Sequence, residues 1–162
     1  TILVNQGNNE RIKVAVILQQ MFREVGVKVS IRTVEWAAFL KEFVDTRKFD
    51  ALILAWNILD DPDIFDVWHS SAIAGNGLNF VSFANEEVDR LLEKGRASED
   101  RAERKAIYDR FQEILHEEQP YLFLYVPYSL PMVQARFQGI QPAPAGITYN
   151  FDRWWVPRAL QQ

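Results

Sequence analysis

The first 56 residues alternate between two hydrophobic periods, and this alternation constrains the fold more than any other feature of the chain. Residues 1–5 (TILVN) read as a strand that begins at the first residue, so the chain reads as a piece of a longer protein. Gly7, Asn8 and Asn9 then offer turn and N-cap chemistry. From Ile12 to Val25, the apolar residues Val14, Ile17, Leu18, Met21, Phe22 and Val25 recur at helical spacing. Gly26 is placed to end that helix in a left-handed conformation. Val27 to Thr33 alternates apolar and polar residues, the pattern of a half-buried strand. Trp36, Phe39, Leu40, Phe43 and Val44 mark a second, shorter helix. Ala51 to Trp56 (ALILAW) is a continuous apolar run, as expected of a strand covered on both faces. The order β-α-β-α-β predicts an α/β fold: a mostly parallel sheet flanked by helices, with right-handed crossovers.

The pattern then changes. Asn57 to Ser82 is a long, Asp-rich stretch with one expected helical turn around Ile64 to His69, and loops of this length are usually functional. Asn85 caps a helix whose first turn carries Glu86 and Glu87 and whose buried stripe is Val88, Leu91 and Leu92. A further helix from about Ser98 to Glu118 is expected to bury Ala102, Ala106, Ile107, Phe111, Ile114 and Leu115, and Pro120 stops it. Tyr121 to Val126 and Leu130 to Arg136 read as two more strands. Residues 142–146 (PAPAG) read as a boundary, giving a main lobe over 1–140 and a C-terminal segment over 141–162. That segment carries Tyr149, Phe151, Trp154 and Trp155, and needs a surface to pack on.

Composition removes several function classes. Eighteen Lys and Arg against 22 Asp and Glu give a net charge of −4, with no basic stripe to neutralise phosphates, so a nucleic-acid partner is disfavoured. Zero Cys excludes disulfides and thiolate metal sites. No apolar run approaches the roughly 20 residues of a membrane helix. His69 and His116 are the only histidines, and a lone His without a nearby second is a poor metal site. No nucleophile elbow surrounds Ser70 and Ser71, and Gly75-Asn76-Gly77 lacks the lysine and context of a phosphate loop. The chain is therefore expected to need no metal and no cofactor, and to bind rather than catalyse.

In an open parallel sheet, ligands bind beyond the carboxyl ends of the strands. Trp36 and Trp56 follow two such ends; if those strands are neighbours, both indoles line one rim. The loop leaving that rim adds Asn57, Asp60, Asp61, Asp63, Trp68, His69 and Asn79. Aromatic walls with a few polar groups suit a small-molecule or peptide site. A strand-end Trp can equally be a core plug. Asp60-Asp61-Pro62-Asp63 suits a cation, an amine or an acid/base pair, but also turn and capping chemistry, and it lacks the Gly and distal Glu of a calcium loop.

The ordered segments resemble a known family. They are Gly7-Asn8 after the opening strand, Glu35-Trp36 with Phe39-Leu40, Phe49-Asp50, Trp56, Asp61-Pro62-Asp63, Trp68-His69-Ser70 and Asn79-Phe80. Asn85, Val88-Asp89, Leu91-Leu92, Arg104, Tyr108, Glu117, Pro120, Tyr121 to Tyr125 and Gly139 continue the set. Together they are similar to the C-terminal lobe of the family 5 extracellular solute-binding proteins, the oligopeptide, dipeptide and nickel receptors of ABC importers. The resemblance implies one lobe of a two-lobed, type II periplasmic-binding-protein (Venus-flytrap) receptor that closes like a hinge. It implies a peptide or similar small solute, an N-terminal lobe of the same receptor and an ABC permease as partners. It also implies a periplasmic or extracellular location, with any membrane anchor in a segment outside this chain. Ligand contacts are expected from Trp36, Trp56, Asn57, Asp60, Trp68, His69 and Asn79, with Trp36 and Trp56 shaping side-chain pockets. Peptide-binding relatives often hold the ligand's α-ammonium with an Asp three residues after the strand-end Trp. Leu59 stands there in this chain, and Asp60 follows it. Two other readings carry distinct expectations: a metal-dependent hydrolase or phosphotransfer domain built on Asp60, Asp61 and Asp63, and an interaction module docking through Trp154 and Trp155.

Overall fold

The computed structural model describes residues 1–58, 61–75 and 77–161. The chain forms two compact units: the first comprises Thr1–Ile58 and Pro62–Pro120, and the second is built on the chain from Tyr121 onward.

A three-stranded parallel sheet organises the first unit. β1 (Ile2–Asn5) lies in the middle, with β2 (Ile31–Val34) on one side and β3 (Ala51–Leu52) on the other. Ile2 stands opposite both Ile31 and Ala51, and Leu3 opposite Arg32 and Leu52. The order corrects one expectation: the strands that precede Trp36 and Trp56 are not neighbours, because β1, whose Ile2, Leu3 and Val4 are all buried, lies between them. Both outer strands are shorter than their hydrophobic patterns. β2 meets β1 from the Ser30 carbonyl, which accepts from Ile2 N–H at 2.8 Å, and Val27 to Val29 precede that ladder. β3 continues one bond further, from Ile53 N–H to the Leu3 carbonyl at 3.1 Å, after which Leu54 to Trp56 have no ladder partner among the described residues.

α1 (Asn9–Glu24) begins at Asn8, whose side chain accepts from Arg11 N–H at 2.9 Å. It ends, as its sequence requires, at Gly26 with φ +83°, a conformation that costs glycine little. Ile12, Val14, Leu18 and Phe22 pack over a core of Ile2, Val4, Ala15 and Ile53. Ile17, Met21 and Val25, expected on the same buried stripe, are exposed. A sheet of three short strands is narrower than the apolar arc of the helix, so one edge of the arc is left uncovered. Leu3 points to the opposite face of the sheet and is also buried.

After β2, Glu35 caps the short helix α2 (Trp36–Ala38), which runs into a π-helical turn, Phe39–Val44, that buries Phe39 and Val44. The long loop holds α3 (Phe65–Trp68) and a 3₁₀ turn, Ser70–Ile73. α4 (Glu86–Ala97) and α5 (Arg101–Glu118) then pack together through Val88, Leu92, Ile107, Tyr108, Phe111, Ile114 and Leu115. Asn85 caps α4 by accepting from Glu87 and Val88 N–H, and Asp100 caps α5 by accepting from Glu103 N–H at 2.7 Å. Ala102 and Ala106, expected inside, are exposed. Tyr108 takes the buried place on that helix: a Cβ on the buried Gly95 would lie 2.9 Å from its hydroxyl oxygen.

The second unit corrects two expectations. Tyr121 to Val126 and Leu130 to Arg136 form no ladder among the described residues, and most of their apolar side chains are exposed. A strand pattern becomes a strand only where another backbone faces it. By compactness the chain divides after Pro120. Residues on both sides of 140 belong together because Gln138 and Trp155 form an antiparallel bridge, with bonds of 2.8 and 3.1 Å. The buried Asn150 fastens it: its Oδ1 accepts from Gln141 N–H and Trp154 Nε1–H, and its Nδ2 donates to the Gly139 carbonyl.

Candidate functional site

All three strands are parallel, so β2 and β3 release the chain at the same edge of the sheet, with β1 between them. Trp36 follows Val34 by two residues and Trp56 follows Leu52 by four. Trp36 is 45% exposed and stacks on Phe39, with centroids 5.9 Å apart and planes 13° apart. It opens α2, and that start is fixed by the Glu35 carboxylate, which accepts from Ala37 N–H (2.9 Å) and Ala38 N–H (3.1 Å). These amide donors, Ala37 first, hold the Glu35 carboxyl below its ordinary value of 4.5. Trp56 is half-buried and stacks on Phe80 at 5.7 Å; Phe80 in turn meets the edge of Phe49 at 6.4 Å. Asn57 follows on the surface. The two indoles thus follow strand ends at one carboxyl edge, each partly exposed and stacked on a phenyl ring.

The other expected ligand residues lie deeper. Trp68 is only 2% exposed and packs edge-on against Phe83. Asn79 is fully buried: its Nδ2 donates to the carbonyls of Phe83 (2.8 Å) and His69 (3.2 Å), and its Oδ1 accepts from Phe83 N–H (3.0 Å). An amide so occupied has nothing left for a solute, so Asn79 organises the loop from within, with Trp68 as its apolar anchor. His69, 8% exposed, lies flat on Phe65 at 4.0 Å, and Arg96 covers the Phe65 ring, its guanidinium carbon 4.0 Å from the ring centre. The imidazole Nδ1 accepts from Ser71 N–H at 3.1 Å, capping the 3₁₀ turn, so the ring proton resides on Nε2.

Within the acidic cluster, Asp63 serves turn chemistry. Asp63 Oδ1 accepts from Phe65 N–H at 3.2 Å, and both its carboxylate oxygens receive Arg96 Nε–H, at 3.0 and 2.8 Å. A carboxylate so engaged serves the start of α3 and its attachment to α4. Asp60 lies outside the described residues. Among the described residues, no group of three His, Asp or Glu is arranged to hold a metal ion. Sequence reasoning quoted Glu35, Phe80 and Asp89 only within the family pattern, without a role, and passed over Arg96: Phe80 lies beneath Trp56, Glu35 is a cap, and Asp89 and Arg96 on α4 hold the loop. None lies in a periodic pattern that could have marked it. Glu is an unusual cap, and the α4 contacts join residues 19 and 33 positions apart.

A parallel sheet with aromatic residues at its carboxyl edge and a long loop leaving that edge is the layout in which open α/β domains place ligand sites. Residues 1–76 match the bacterial extracellular solute-binding proteins, family 5 Middle. The chain belongs to family 5 of these proteins, a family of solute-binding receptors. Over 159 residues it is 32% identical to the oligopeptide-binding protein AppA of Bacillus subtilis, a match that covers 98% of this chain and 29% of AppA. The structure of AppA in complex with a nonapeptide superposes on 97% of this chain and 31% of its own, with a TM-score of 0.76 and 31% identity. DppA of Helicobacter pylori, an ABC transporter-associated periplasmic binding protein in complex with the peptide STSA, gives a TM-score of 0.77 at 27% identity over 96% of this chain and 30% of its own. NikZ of Campylobacter jejuni in complex with Ni(L-His) gives 0.69 at 27% identity, over 94% and 32%. The chain spans less than a third of the length of each of these relatives.

Proposed function

We propose that this chain is one solute-binding lobe of an ABC-importer receptor that captures peptides or a similar small solute. The observation that carries this reading is the delivery of Trp36 and Trp56, each backed by a phenyl ring, to one carboxyl edge of the parallel sheet. Flat apolar faces at such an edge favour an extended chain with side chains to insert. Trp36, Trp56 and the exposed Asn57 are the contacts of this lobe, with Asp60 the candidate for a ligand ammonium. Trp68, His69 and Asn79 act behind them by fixing the loop. The relatives' own complexes, with a nonapeptide and with the peptide STSA, support peptides as the ligand class.

In this reading the protein does no chemistry on its cargo. Its partners are the receptor's other lobe and a membrane permease, and it works in the periplasm or outside the cell. The test is calorimetry on the full-length protein with peptides of two to nine residues. Trp56→Ala is expected to weaken binding by roughly 10- to 100-fold while leaving the unfolding midpoint almost unchanged, since a central aromatic contact is worth about 2 kcal/mol or more. Unchanged affinity for every peptide that the parent binds refutes the placement of Trp56.

A further inference from the structure

Helix α4 lies behind the loop, yet one of its side chains holds the turn on which the Trp56 platform depends. Asp89 Oδ1 accepts from Ser70 N–H at 2.8 Å, and its Oδ2 accepts from the Ser70 hydroxyl at 2.5 Å. Both carboxylate oxygens are thus spent on one residue of the 3₁₀ turn. The same turn is capped by His69, whose Nε2 lies 3.9 Å from Asp89 Oδ1 and makes no hydrogen bond among the described residues. The His69 carbonyl receives Asn79 Nδ2–H, and Asn79 directly precedes Phe80, the ring under Trp56. Every link is a hydrogen bond, a covalent neighbour or a ring stack, and all of them lie within the first unit.

We propose that Asp89 is a positioning residue for solute binding: it sets the Trp56 indole through Ser70, His69, Asn79 and Phe80 without touching the solute. This rests on the reading that Trp56 faces the solute. Trp36 makes the contrast, because its ring is set by Glu35 and Phe39, which share no hydrogen bond with Asp89 among the described residues. A general loosening of the fold would disturb both indoles, whereas loss of this latch disturbs one.

The experiment uses the full-length protein labelled with 5-fluorotryptophan, the two signals being assigned with Trp36→Phe and Trp56→Phe. Asp89→Ala is expected to shift or broaden the Trp56 signal and leave the Trp36 signal in place. Asp89→Asn, whose oxygen still accepts from Ser70 N–H and whose amide can donate to the Ser70 hydroxyl oxygen, keeps both links and is expected to retain the parent Trp56 signal. With the tetrapeptide Ser-Thr-Ser-Ala as probe, Asp89→Ala is expected to lower affinity roughly tenfold, mainly through faster dissociation, and Asp89→Asn by no more than about twofold. An unmoved Trp56 signal overturns the proposal, and so does an equal disturbance of Trp36. If Asp89→Ala does not fold, Ser70→Ala, which removes only the hydroxyl bond, must move Trp56 and spare Trp36, or the proposal fails. The fluorine signals need no ligand. Absence of tetrapeptide binding by the parent protein would therefore count against the solute-binding reading alone.

Discussion

Asn79→Asp is the sharpest test of how the loop is built, because it changes one atom and almost no volume. In the parent, Nδ2 donates to the Phe83 and His69 carbonyls and Oδ1 accepts from Phe83 N–H, all with no exposure to solvent. The substitution keeps the acceptor and replaces the donor with an oxygen 2.8 Å from a carbonyl oxygen. Two hydrogen bonds of about 1 kcal/mol each are lost, and two buried carbonyls lose their donor at about 1 kcal/mol or more each. Burying the new charge adds to this, so the expected loss is about 3–5 kcal/mol at neutral pH, a large part of a typical domain's 5–15 kcal/mol. The sign of its pH dependence follows. A carboxyl facing carbonyls in a dry site has a folded-state pKa above its unfolded value, so stability relative to the parent is regained as pH falls. The protonated group can again donate to Phe83. Urea unfolding with linear extrapolation, for parent and variant at pH 7.5 and 5.5, measures both effects. A variant within about 0.5 kcal/mol of the parent at pH 7.5, or a gap that widens on acidification, refutes the reasoning.

Three further outcomes follow from the geometry. Gly95→Ala is expected to destabilise the α4–α5 pair by about 1–2 kcal/mol in thermal or urea unfolding despite its better helix propensity, because its Cβ would meet the buried Tyr108 ring; adding Tyr108→Phe is expected to recover part of the loss. The Glu35 cap is complete above pH 4.5 and is lost as pH falls through the depressed pKa of its carboxyl, so the amide resonances of Ala37 and Ala38 are expected to titrate below pH 4.5, and Glu35→Gln to abolish that titration. This chain alone, with one side of a cleft to offer, is expected to bind a tetrapeptide no more tightly than about 1 μM by calorimetry; submicromolar binding contradicts the two-lobed reading.

Local signals in the sequence carried through to the structure where they depended only on nearby atoms. Asn8, Gly26 and Asn85 set helix ends by bonds and dihedrals within a few residues, and the α4 and α5 stripes were legible from spacing. Signals that depended on a distant backbone did not carry through. Leu54 to Trp56 and Tyr121 to Val126 have strand composition, but pairing is decided by what lies opposite, and composition does not record it. The site divided along the same line. That Trp36 and Trp56 follow strand ends at one edge of the sheet was legible, because a strand end is local and parallel strands share an edge. The burial of Trp68 and Asn79 was not, since it arises from loop residues folding on one another across 4 to 11 positions with no period to announce it.

The flat stack of His69 on Phe65 has a spectroscopic consequence. Protons held over the face of a benzene ring are shielded by its circulating π electrons, so the imidazole carbon-bound protons of His69 should resonate well upfield of those of His116, which lies on the surface. With two histidines in the chain, the aromatic proton spectrum is expected to hold one ordinary imidazole and one displaced by its neighbour. That displaced pair of lines would be a native gauge of whether the turn that His69 caps is closed, readable without any label.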